Sequence, residues 1–143
     1  MSTNAMNTME AARDSLATIT GVASCKVGLE ANISPADYPL IRLVPSRLTP
    51  GRAYAGRTVE TLIYFGAQTA RSEGLETVYG DLFALESAII AKVQGLGGRY
   101  RETITDEDRL DAYKLMTIRC ELTESTDDAA RYPVPTPTPT PAP

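Results

Sequence analysis

The chain has 143 residues, 43% of them hydrophobic and 22% charged, which is ordinary globular usage and enough for one domain with a single core. A formal net charge of −4 argues against a protein whose main work is gripping nucleic-acid phosphates, although local basic patches fit within that balance. Histidine is absent, which excludes Ser-His-Asp and Cys-His catalysis and most zinc and copper sites.

Tryptophan is absent too, so an aromatic platform for nucleic-acid bases would have to rest on 7 Tyr and 2 Phe that are scattered along the chain. No apolar run approaches the roughly 20 residues of a membrane span, so a soluble protein with no membrane partner is expected. Met1 to Glu10 has neither the charged start nor the apolar centre of a secretory signal. Cys25 and Cys120 lie far apart and belong to no C-x-x-C pair, which fits two buried thiols in a reducing compartment better than a disulfide.

In chain order, residues 1–7 read as a flexible end. Met9, Ala12, Leu16 and Ile19 then recur at helical spacing, with Thr8 as the expected N-cap and Gly21 after the C-terminus. Ala23, Cys25, Val27 and Leu29 alternate with Ser24, Lys26, Gly28 and Glu30, which is strand periodicity with Cys25 inward. Pro35 and Pro39 stiffen the loop that follows, because proline fixes its own φ and biases the preceding residue towards an extended conformation. Leu40 to Val44 is the next expected strand, and Pro45 to Gly56 a turn rich in Pro, Gly and Arg.

Arg42, Arg47, Arg52 and Arg57 recur every five residues, a spacing that matches neither a helix face nor one face of a strand. If the flanking strands form a long hairpin, these cations crowd onto its tip or edges. They would serve there as edge protection, or as a charged surface for an acidic partner or passing nucleic acid.

The segment from Thr58 to Gln94 organises the rest. In its strand, Thr58 to Phe65, Val59, Thr61, Ile63 and Phe65 share one face, and Glu60, Leu62, Tyr64 and Gly66 the other. Leu62 and Tyr64 make the second face too apolar for water, so cover is expected from the same chain or from another subunit. A polar turn, Gln68 to Gly74, leads into a helix whose Val78, Leu82, Leu85, Ile89 and Val93 form one stripe opposite Glu76, Gly80, Glu86, Ser87 and Gln94. Gly95, Gly97 and Gly98 end that helix; glycines that follow a helix cannot cradle phosphate as those before one can.

Tyr100 to Thr105 is an expected strand with Tyr100, Glu102 and Ile104 on one side. The acidic cluster Asp106, Glu107, Asp108 and Asp111 lacks the glycine and terminal glutamate of a calcium loop and reads as a solvated turn. In the last strand Met116, Ile118, Cys120 and Leu122 point inward, with Lys114, Thr117, Arg119, Glu121 and Thr123 outward. Residues 126–143 read as a disordered Pro/Thr-rich tail, in which Pro133 to Pro143 alternate Pro with Thr, Val or Ala as a polyproline II tether. No serine lies in a G-x-S-x-G or S-x-x-K setting, so neither an enzyme nor a cofactor is expected.

These elements predict one α/β (α+β) domain over residues 8–125. It consists of a single sheet of four to five mostly antiparallel strands, two helices on one face, and an extended hairpin. Three segments, Asp37-Tyr38-Pro39-Leu40-Ile41-Arg42-Leu43, Leu75-Glu76-Thr77-Val78-Tyr79-Gly80-Asp81-Leu82-Phe83-Ala84-Leu85-Glu86 and Ile118-Arg119-Cys120-Glu121-Leu122, set in that element order, resemble the tail terminator and minor tail protein family of long-tailed bacteriophages. The resemblance covers residues 7–124 and excludes the Pro/Thr tract.

The resemblance implies a structural virion protein at the head-proximal end of the tail, assembled in the host cytoplasm. Its subunits would form a ring, usually a hexamer, that caps the tail tube, stops its growth and offers a surface to the head-tail connector. Its partners would be copies of itself, the tube protein and the connector, with DNA passing nearby in the channel. Leu62, Tyr64 and Tyr54 are then the expected interface anchors, and Arg47, Arg52 and Arg57 the rim or lumen charges. Another ring of the head-tail neck, or a non-viral binding module on a proline-rich tether, remains open as an alternative.

Overall fold

A computed structural model describes residues 4–30, 33–51, 56–68, 75–105, 109–110 and 113–124. The element order is α1 (Asn4–Leu16), β1 (Ser24–Val27), a short 3-10 turn (Pro35–Asp37), β2 (Leu40–Thr49), β3 (Thr58–Gln68), α2 (Leu75–Gly95), β4 (Arg99–Ile104), β5 (Arg109–Leu110) and β6 (Tyr113–Thr123). One mixed sheet runs β1-β2-β3-β6-β4, and β5 pairs with β6. β1 and β2 are parallel, and every other pairing is antiparallel. The fold is therefore α+β, with five main strands and two helices, as the sequence periodicities predict.

Both helices pack on one face of the sheet. Met9, Ala12 and Leu16 of α1 and Val78, Leu82, Ile89 and Val93 of α2 meet Ile41, Val59, Ile63, Phe65, Met116, Ile118 and Cys120 in a continuous core. The stripe on α2 lies where its spacing puts it, and Leu85 packs at its margin. The helix closes on a Schellman cap: Gly98 N–H donates to the Val93 carbonyl (2.9 Å) and Gly97 N–H to that of Gln94 (3.0 Å). Gly97 takes the left-handed φ of +80° that this cap needs.

Five boundaries or orientations differ from expectation. The first helix begins at Asn4 rather than Thr8, so part of the expected flexible end is helical. Thr8 does not cap it; its hydroxyl donates back to the Asn4 carbonyl one turn earlier, at 2.8 Å. β1 stops at Val27 because Gly28 turns the chain at φ +93°, which leaves Leu29 exposed instead of inward. Rather than ending at Val44, β2 runs through Pro45 to Thr49. That is possible because β1 accompanies β2 only as far as Leu43, so beyond it Pro45 lies on a sheet edge, where a missing N–H breaks no ladder.

In β4 a register shift between Tyr100 and Glu102 separates two residues expected on one face. Tyr100 packs on the core and shares a 2.7 Å hydroxyl hydrogen bond with Thr103. Finally, Lys114 has the parity of Met116 and lies buried on the helix side, its ammonium 5.9 Å from the ring centroid of Tyr79.

The opposite face of the sheet is covered at one end only. Tyr38, Leu40 and Leu115 form a second small cluster there, with Ile33 packed on it from the β1–β2 connection. Gly66 permits this packing, since a Cβ at that position would lie 3.2 Å from the Tyr38 ring and closer still to Leu115.

Candidate functional site

Along the rest of the second face, the register sets Arg42, Tyr64, Thr117 and Ile104 in one row and Val44, Leu62, Arg119 and Glu102 in the next, with Arg42 and Thr117 buried. Val44, Leu62 and Tyr64 are half-buried by their neighbours, and Ile104 is exposed. The result is an apolar patch of four side chains with an ion pair at each of two corners. Arg47 pairs with Glu60 at 3.4 Å, and Arg119 with Glu102 at 3.5 Å. Both contacts are long and solvated, so each stabilises the fold little.

The bulge between Pro45 and Arg47 explains how two arginines five residues apart share this face. A regular strand would place them on opposite sides, and the extra residue restores the parity. Their environments nevertheless differ. Arg47 is 71% exposed, whereas Arg42 is fully buried beneath the β1–β2 connection. The Arg42 guanidinium donates to the Glu30 carboxylate, to Ser24 Oγ (2.9 Å) and to the Ile41 carbonyl (3.0 Å). The hydrogen bond from Arg42 holds the Glu30 carboxyl below the usual glutamate range, against the opposing effect of partial burial.

Arg57 is engaged within the chain. Its Nε and Nη2 donate to the two carboxylate oxygens of Glu124 at 2.7 and 3.0 Å, and its backbone N–H donates to the same carboxylate at 3.1 Å. Glu124 is fully buried, and its own N–H returns a bond to the Arg57 carbonyl at 2.8 Å. This bidentate clamp fastens the start of β3 to the end of β6. Of the expected interface set, Leu62, Tyr64 and Arg47 thus come together on one face and Arg57 is set apart, while Arg52 and Tyr54 lie outside the described residues.

Two further surfaces lie on α2. Tyr79 and Phe83 are exposed and stack with ring centroids 6.0 Å apart. On the other flank, a groove of about 750 Å³ opens between α2 and the turn after α1. Ala84, Leu85, Ala88 and Ala91 form one wall and Ile19 and Val22 the other, with Asp81 and Lys92 also lining it. Both surfaces had a signal in the sequence: Tyr79 and Phe83 are four apart, and Ala84, Ala88 and Ala91 follow at steps of four and three.

Among the described residues, no three His, Cys, Asp or Glu side chains gather to hold a metal ion, and no helix is long and apolar enough to cross a membrane. Cys25 and Cys120 are free thiols; burial pushes the first up to about 11 and the second to about 12, so both stay protonated at neutral pH. No protein-family model matches the chain, and no curated protein matches it either.

Proposed function

We propose that this chain is a non-enzymatic structural subunit of a phage tail. In this reading it resembles a tail terminator, closing into a ring that caps the tube, stops its growth and meets the head connector. The observation that carries the proposal is the half-exposed apolar patch of Val44, Leu62, Tyr64 and Ile104, on a sheet whose other face carries its own helices. A patch of this kind, ringed by polar residues, is suited to burial against another protein. The element order and segments that resemble the terminator family make the ring its natural destination.

Native mass spectrometry and negative-stain microscopy are expected to find closed rings, alone or on adding tube protein, and tube growth is expected to stop. Tyr64→Glu should weaken subunit association by about 2 kcal/mol or more, roughly thirtyfold, as loss of a central aromatic anchor does. Its circular dichroism should stay that of the folded chain. A wild-type protein that is monomeric at all concentrations and ignores tubes would sink the proposal.

A further inference from the structure

A ring built from identical subunits needs two different patches per chain, one to offer and one to receive. The sheet patch is one of them. The α2 groove has the properties of the other.

Its helix wall exposes the small side chains of Ala84, Ala88 and Ala91, which leave room for a large side chain to enter. The sheet patch projects one, Tyr64, from the middle of β3. The charges also match. Asp81 and Lys92 line the groove eleven residues apart, about 16 Å along the helix, and neither forms an ion pair among the described residues.

The sheet patch has its two loose ion pairs, Arg47–Glu60 and Arg119–Glu102, at corners about 12 Å apart by strand spacing and rise. Each corner holds a cation and an acid, held only by a long solvated contact. Long side chains span the remaining few ångströms. One corner can therefore give an arginine to Asp81 while the other gives a carboxylate to Lys92.

We propose that the Tyr64 face of one copy seats in the α2 groove of the next, with Tyr64 entering between Ala88 and the turn at Thr18–Val22. The contact is head-to-tail, and its occupant is a second copy of this chain. It rests on the ring reading only for closure; the pairwise contact stands by itself.

Cysteine pairing in the full-length chain tests it. Val44→Cys, which leaves the Tyr64 anchor in place one row away on the same face, and Ala88→Cys are made in separate chains, mixed, and treated with a short bismaleimide at neutral pH. The unmodified chain is the control for Cys25 and Cys120, whose protonated, shielded thiols should react slowly. A covalent dimer in the mixture, absent from either variant alone, is the expected result. One chain carrying both substitutions should give a ladder.

A Val44→Cys dimer as strong alone as in the mixture would mean a two-fold sheet-to-sheet contact and overturn the proposal. Wild-type rings without a mixed cross-link would also overturn it, leaving the ring reading intact. Ladders from the doubly substituted chain, with a wild type that never closes into rings, would support the contact and end the ring reading instead.

Discussion

At the scale of single residues, the Arg42–Glu30 pair is asymmetric in a way that substitutions can read. Arg42 is fully buried, while about a third of the Glu30 side chain reaches solvent. Removing the acid strands a cation in a low-dielectric pocket, and removing the cation leaves a carboxylate that water can hydrate. Glu30→Ala should therefore cost about 3 kcal/mol, the range for an orphaned buried charge, and Arg42→Met closer to 1 kcal/mol. Urea titration of both variants checks the order; a larger loss for Arg42→Met would mean that its packing outweighs the ion pair. The pH dependence has a definite sign. Because the folded carboxyl titrates below its unfolded value, its contribution is present above the unfolded pKa and is lost as pH falls through the folded one. Wild type should thus lose more stability on acidification than Glu30→Gln. The sequence places Arg42 within the strand Leu40 to Val44, but gives neither its face nor its burial. The burial depends on a connection folding over the sheet edge to set Glu30 on a residue twelve positions further along the chain.

At the scale of elements, two glycines of α2 and its cap should respond in opposite directions to the same substitution. Gly80 lies on the exposed side of the helix with nothing within 4 Å of a new Cβ, so Gly80→Ala should stabilise by about 0.5–1 kcal/mol through helix propensity. At Gly98 the added carbon would lie 2.9 Å from the Val93 carbonyl oxygen and 2.8 Å from Leu122 Cδ2. The cap and β6 would have to move, at a cost of about 1–3 kcal/mol. Thermal melts should shift up for the first and down for the second; a fall for Gly80→Ala would mean that the outer face of α2 is covered. The same helix shows what periodicity conveys. Its buried stripe is a single face repeated over about four turns, which spacing alone reveals. Tyr79, Phe83 and the alanine flank are visible as spacings as well, but which flank forms a groove depends on where the turn after α1 comes to rest. Strand β2 fails for a related reason. Pro45 reads as a strand end until it is known that β1 has already stopped.

At the scale of the whole molecule, the clamp between Arg57 and Glu124 separates the two roles that an evenly spaced set of arginines seems to share. β2 ends and β3 begins at one end of the sheet, and β6 finishes there, with Thr58 opposite both Thr49 and Thr123. The connection after Thr49 and the chain beyond Glu124 therefore leave from the same end, held together by the clamp. Any surface that this end offers depends on the fastening, and Arg57 is the described hairpin arginine that takes part in it. Arg57→Ala leaves a fully buried carboxylate without its guanidinium and should cost about 3 kcal/mol. The Thr58 and Thr123 amides should lose hydrogen-exchange protection first, because they form the last rung beside it. Arg47→Ala removes only a solvated pair and should change stability by less than about 0.5 kcal/mol, while any change it makes in assembly reports directly on the sheet face. An Arg57→Ala variant that melts like wild type would return Arg57 to the surface charges. Otherwise, a combined replacement of the hairpin arginines would confuse unfolding with lost docking, and among those described Arg47 is the residue on which docking can be read.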